Sequence, residues 1–176
     1  MKAANFDYVR VSTIKEACQA LKDGGEDARI IAGGQTLVPL MAMRLARPNL
    51  LIDINGVEEL VGIRIDDGYL VIKARTRQAD TLTSDVVKRE LPLLAEALTH
   101  VGHTQTRNRG TVGGSLVNAD PSAEIPLIAQ TLEAIIIVQS SRGRRSVKAR
   151  DFFESAMATT LMPDECLVEV CFPINS

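Results

Sequence analysis

The first fifty-five residues carry short apolar runs separated by one clear helical stripe. ANFDYVRV alternates weakly and predicts a short strand or extended lead-in. In STIKEACQALKDGG, Ile14, Ala17, Cys18 and Leu21 share one helical face. Thr13 and Glu16 have capping-box spacing, and Gly24-Gly25 stop the helix. ARIIAGG predicts a buried strand ending at glycines. LVPLMAMRL predicts a helix with Pro39 in its first turn, where proline is tolerated, and NLLIDI another buried strand. Met41 and Met43, with Leu37, Leu40 and Leu45, read as core packing beneath the glycines. The segment therefore predicts a β-α-β-α-β lobe.

After Asn55-Gly56 the pattern changes. GIRIDDGYLVIKA predicts a hairpin turning at Asp67-Gly68, and AIIIVQSSRGRRSVKA a second one turning at Arg142-Gly143. SDVVKRELPLLAEALTHVG is helical, kinked or restarted at Pro92. SAEIPLIAQTLEA predicts a helix with Ser122 as N-cap. ARDFFESAMATTLMPDE reads as helix and loop, and CLVEVCFP as a closing strand. This second lobe is α+β with a largely antiparallel sheet.

Composition narrows the function classes. The chain is 45% apolar but only 3% aromatic, so its core is aliphatic. A net charge of −2 gives no global attraction to nucleic acid or anionic membranes. No apolar run is long enough to span a membrane and the N-terminus lacks a signal-peptide stretch, so a cytoplasmic location is expected. The three cysteines, Cys18, Cys166 and Cys171, are odd in number and show no CxxC spacing, which argues against a disulfide framework or a self-contained iron–sulfur site.

Two segments could carry chemistry. Ala32-Gly33-Gly34-Gln35-Thr36 lies between a predicted strand and a predicted helix. Glycines there admit positive φ and let a ligand approach the backbone, and successive N–H groups can form an anion-binding nest. Alone, the glycine pair reads more readily as a tight turn. Neither GxGxxG nor GxxxxGK followed by Ser or Thr occurs, so a standard dinucleotide fingerprint and a P-loop are both unsupported. Thr111-Val112-Gly113-Gly114-Ser115 again sets two glycines among hydroxyls, after Arg107-Asn108-Arg109-Gly110 and before Asn118-Ala119-Asp120-Pro121-Ser122-Ala123-Glu124. Backbone donors suit a diphosphate, and acids accept from ribose or ribityl hydroxyls. The bland alternative is a glycine-containing strand with a polar turn. One such segment in each lobe points to a ligand clamped between lobes, with a diphosphate at its middle.

AGGQTLVPLMAMRL and RNRGTVGGSLVNADPSAEIP together resemble the FAD-binding subunit of the molybdenum hydroxylases, the family of xanthine dehydrogenase and aerobic carbon monoxide dehydrogenase. The resemblance is collinear from TIKEA to DECLVEVCFP. It implies an α+β, two-lobed FAD-binding fold of the PCMH/VAO-like kind. Residues 1–55 would form the small N-terminal lobe and residues 56–176 the larger one, with FAD extended between them. Carried over by position, the FAD-binding residues would be Ala32, Gly33, Gly34, Gln35, Thr36, Thr111, Gly113, Gly114 and Ser115. Glu124 would stand where the family usually has a ribose-side aspartate, and Leu161 would be an apolar contact near the flavin rings. Family subunits continue past the equivalent of CFP into a further domain, expected to be absent from a sequence ending at Ser176. The implied role is electron transfer. Electrons would come from 2Fe–2S clusters on an iron–sulfur small subunit, beside a molybdopterin large subunit, and leave through FAD to an external acceptor such as NAD, a quinone or oxygen.

Other candidates weigh less. His100 and His103 lack the further ligands a metal site needs. Arg142, Arg144 and Arg145 lack aromatic companions for base stacking. No nucleophile–base pair stands out, which suits a chain whose chemistry comes from a cofactor. Two alternatives remain open: a non-catalytic module that binds the iron–sulfur subunit, and a stand-alone flavin reductase of similar fold.

Overall fold

A computed structural model describes residues 2–174. Strands β1 (Asp7–Arg10), β2 (Ala28–Ile31) and β3 (Leu50–Asp53) form a parallel sheet in the order β1-β3-β2. Central β3 is flanked on both edges, and its Ile52 is fully buried. Helix α1 (Ile14–Gly24) buries the predicted stripe of Ile14, Ala17, Cys18 and Leu21. Thr13 caps it by accepting the Glu16 N–H at 3.1 Å, and the Glu16 carboxylate accepts the Ser12 N–H at 2.7 Å. Helix α2 (Leu37–Ala42) follows the first glycine segment. It stops short of the predicted Leu45 because Arg44 turns left-handed at φ 60°. Met43 and Leu45 are consequently exposed, contrary to the core role expected of them, while Met41 is buried.

The second sheet is antiparallel, in the order β4-β5-β10-β6-β7. Its strands are β4 (Ile63–Asp66), β5 (Tyr69–Lys73), β6 (Ile135–Ser140), β7 (Gly143–Lys148) and β10 (Cys166–Pro173). The β4–β5 turn uses Asp67 and Gly68, both at positive φ, as a two-residue hairpin prefers. In the second hairpin Ser140 pairs with Gly143, so the turn centres on Ser141-Arg142, one residue earlier than expected. The last strand, β10, enters the middle of the sheet between β5 and β6. Helix α1 packs on β2 and β3 on one side and on β6 and β10 on the other, where the Cys18 thiol donates to the Gln139 carbonyl at 3.2 Å. A single apolar core runs from Val11 to Phe172 through that helix. The outcome is the two-lobed α+β architecture expected.

The helical part departs from the sequence reading in detail. The restart at Pro92 is real: α4 (Asp85–Glu90) ends and α5 (Pro92–His100) begins around Leu91, whose φ of −133° and ψ of 62° are not helical. Helices α3 (Gln78–Thr83) and α6 (Thr104–Arg109) were not expected. TVGGS is the cap and first turn of α7 (Val112–Asn118) rather than a glycine-containing strand. Helix α8 (Glu124–Thr131) is capped at Ala123, not Ser122, because the Ser122 hydroxyl is engaged as a donor to Asp120 Oδ1 at 2.7 Å. Past the single turn of α9 (Ala149–Phe152), a small hairpin of β8 (Phe153–Ser155) and β9 (Ala158–Thr159) lies against α7, where the Met157 N–H donates to the Ala119 carbonyl at 2.9 Å. Among the described residues, no helix is long and apolar enough to cross a membrane.

Candidate functional site

Residues 32–36 turn the chain from the end of β2 into α2. Gly34 sits at φ 69°, where a side chain would be strained. Gly33 faces the backbone of Arg109 and Gly110: a Cβ placed on it would lie 2.9 Å from the Arg109 carbonyl carbon and 3.0 Å from the Gly110 Cα. Only a residue without a side chain permits that approach. Among the described residues, no acceptor takes the backbone N–H groups of Gly33, Gly34, Gln35 or Thr36. The Gln35 side chain folds back to donate to the Gly33 carbonyl at 3.1 Å.

The second glycine segment is organised differently. Thr111 Oγ1 accepts the Gly114 N–H at 3.0 Å, and the Thr111 carbonyl accepts the Ser115 N–H at 3.1 Å. The Val112 N–H donates to Thr76 and the Gly113 N–H to Ala74, at 3.0 and 2.9 Å. All four donors at the start of α7 are thus spent inside the protein. Gly113 is buried against β5's end, where a Cβ would come within 2.7 Å of the Ala74 carbonyl oxygen. Gly114 instead is exposed, and the half-buried Ser115 hydroxyl has no partner among the described residues. Of the two preceding arginines, Arg107 closes its own loop by donating to the Val101 and Gly102 carbonyls at 2.8 and 3.1 Å. The Arg109 guanidinium is exposed and makes no ion pair among the described residues.

What brings the segments together is a polar chain that the sequence reading did not contain. Asn55 Nδ2 donates to the Ala32 carbonyl at 2.8 Å. Asp53 Oδ1 orients Asn55 by accepting its N–H at 2.8 Å and its Nδ2 at 2.6 Å. Arg77 Nη2 donates to Asn55 Oδ1 at 2.8 Å, and Arg77 Nη1 donates to the Arg109 carbonyl. The backbone of Arg77 also bridges Thr111. Burial, joined by the neighbouring cations Arg109 and Arg75, lowers the Arg77 pKa from its ordinary value. Asp53 is held below the usual carboxylate range: burial opposes this, but hydrogen bonds from Tyr8 and Asn55 outweigh it. Asn55 marks the change of pattern between lobes in the sequence, yet nothing there linked it to Arg77.

The result is an open cleft of about 340 Å³ lined by Gly33, Gly34, Gln35, Val38, Pro39 and Arg109. Three of the predicted residues line it. Ala32 and Thr36 flank it in sequence, and Thr111 stands two residues beyond Arg109. Glu124 opens α8 and is half-buried without a partner among the described residues. Leu161 follows β9, is half-buried against the core, and lies outside the cleft lining. Unpaired backbone donors, a glycine wall and a free guanidinium are what a diphosphate requires, so the residues present fit such a group. Among the described residues, no cluster of three or more His, Cys, Asp or Glu could hold a metal ion. Among the described residues, the polar partner of the His100 ring is Glu96, at 3.4 Å.

Residues 4–175 match the family described as FAD binding domain in molybdopterin dehydrogenase. The alpha subunit of the 6-hydroxypseudooxynicotine dehydrogenase complex of Paenarthrobacter nicotinovorans is 44% identical over 98% of this chain and 58% of its own length. The carbon monoxide dehydrogenase medium chain of Hydrogenophaga pseudoflava is 39% identical over 96% of this chain and 58% of its own. The structure of carbon monoxide dehydrogenase from that organism superposes with a TM-score of 0.97 at 39% identity, covering 100% of this chain and 61% of the other. Quinoline 2-oxidoreductase from Pseudomonas putida 86 superposes with a TM-score of 0.96 at 43% identity, with the same coverage. The chain spans about three-fifths of the length of these relatives.

Proposed function

Since the chain belongs to the FAD-binding domain family of the molybdopterin dehydrogenases, we propose that it binds FAD at the seam between its two sheets and serves as the electron-transfer subunit of a molybdenum hydroxylase complex. The observation that carries this reading is the apposition of Gly33 to Arg109-Gly110, where Gly33, Gly34 and Gln35, whose N–H groups are unpaired among the described residues, line one cleft with the exposed Arg109. The N–H groups of Gly33, Gly34, Gln35 and Thr36 and the Arg109 side chain would hold the diphosphate. Ala32 anchors that loop through its carbonyl. In the second segment Thr111 and Gly113 set the position of α7, and Gly114 and Ser115 would present a bare surface and a hydroxyl to the ligand. Glu124 would accept from a ribose hydroxyl, and Leu161 would cover an apolar part of the flavin.

Bound FAD would supply one- and two-electron redox chemistry. The chain's own part is binding, orientation and exclusion of water. Its partners would be an iron–sulfur small subunit and a molybdopterin large subunit, with an external acceptor such as NAD, a quinone or oxygen. The test is direct. The purified chain should quench FAD fluorescence on titration, and its assembled complex should reduce an artificial acceptor. Failure of the wild-type chain to bind FAD, with complex assembly intact, would favour a purely structural module.

A further inference from the structure

We propose that Arg77 and Asn55 are positioning residues of the dinucleotide site, a two-armed tie that fastens the 32–36 loop to the corner between α6 and α7. The proposal rests on the FAD reading above. Arg77 is half-buried, and both of its Nη atoms are engaged, one on the Arg109 carbonyl and one on Asn55 Oδ1. Asn55 in turn holds the Ala32 carbonyl, and it is held by Asp53, whose Oδ2 accepts the Tyr8 hydroxyl at 2.6 Å. The tie therefore runs from the parallel sheet across the seam to the backbone that Gly33 faces. Among the described residues, Arg77 makes no ion pair with a carboxylate. All of its side-chain acceptors are neutral, and with the cations Arg109 and Arg75 nearby its charge is only partly offset by Asp80 and Asp53, so an anionic ligand in the neighbouring cleft would benefit. Arg109, not Arg77, has the free donors, which separates the cation that would touch the diphosphate from the one that sets the walls.

A lysine keeps the charge but carries all three of its donors on one nitrogen, which cannot span the two divergent acceptors as the planar fork does. This separates a positioning fork from a simple cation. The full chain carrying Arg77→Lys, Arg77→Met or Asn55→Ala would be titrated with FAD by fluorescence quenching. Hydrogen exchange would be followed without FAD at the Val38 amide, which donates to the Gly34 carbonyl at 3.1 Å and so reports the loop. All three variants should bind FAD roughly tenfold or more weakly and exchange Val38 faster by a similar factor. Wild-type affinity in Arg77→Lys, with loss only in Arg77→Met, would overturn the fork in favour of charge alone. Unchanged Val38 exchange in Asn55→Ala would overturn the tie itself. If the wild-type chain binds no FAD, the FAD reading falls and the proposed role of the tie falls with it. The exchange data then still decide whether the tie holds the loop.

Discussion

Gly33→Ala isolates the contact on which the site depends. Gly33 is not among the left-handed residues, so alanine is not excluded by its backbone conformation. The obstacle is steric. Its Cβ would stand 2.9 Å from the Arg109 carbonyl carbon and 3.0 Å from the Gly110 Cα, whereas carbon atoms prefer about 3.5–4.0 Å. These are backbone atoms and cannot rotate away, so the 32–36 loop must retreat by about 0.5–1 Å. Overpacking of this kind costs about 1–3 kcal/mol. For a chain of this size that is a fall in Tm of roughly 2–12 °C. The retreat also strains the 2.8 Å bond from Asn55 to Ala32 and moves the free N–H groups off the ligand. Loss of one charge-assisted hydrogen bond, about 1.5–3 kcal/mol, weakens FAD binding by about 10–150-fold. Fluorescence titration and thermal unfolding of the same preparation measure both quantities. A variant that binds FAD within about twofold of wild type at unchanged Tm would refute the reasoning, since its loop would not need the close approach.

Gly113→Ala should lower stability by about 1–3 kcal/mol, because its Cβ meets the Ala74 carbonyl oxygen at 2.7 Å; denaturant unfolding measures this, and an unchanged midpoint would contradict the packing role. Thr111→Val should cost about 1 kcal/mol through loss of the Gly114 cap, and Thr111→Ser should recover most of it in the same assay. Glu165 is buried, and hydrogen bonds from Arg145 at 2.6 and 2.7 Å hold its carboxyl below the usual range although burial pulls the other way. With the folded-state value depressed, its contribution is present above the unfolded value of about 4.3 and is lost as pH falls through the folded value. Glu165→Gln should therefore be less stable at neutral pH and lose less on acidification, as read by circular dichroism; an acid limb parallel to wild type would sink the assignment. Burial pushes the Cys166 thiol up to about 12 and Cys171 to about 11, so native protein should react slowly with a thiolate-selective reagent and unfolded protein with three equivalents.

Local patterns were legible wherever one short stretch decides its own structure. The stripe of Ile14, Ala17, Cys18 and Leu21, the Thr13 cap and the Asp67-Gly68 turn all follow from periodicity and backbone freedom within a few residues. Both glycine segments were visible in the same way, and so was their pairing, through the resemblance they carry. Their different roles were not. Whether Gly113 offers an N–H or packs against Ala74 depends on where β5 ends, and sequence spacing does not set that distance. The exposure of Met43 and Leu45 was likewise decided by an unexpected left-handed turn at Arg44. Arg77 and Asn55 carry no motif, because a hydrogen bond between residues far apart in the chain leaves no periodic trace. The sequence by itself determined that two glycine pairs flanked by hydroxyls exist, about eighty residues apart. Only the tertiary structure decided that one segment keeps its donors free while the other spends them, since that depends on which backbones are brought into contact across the seam.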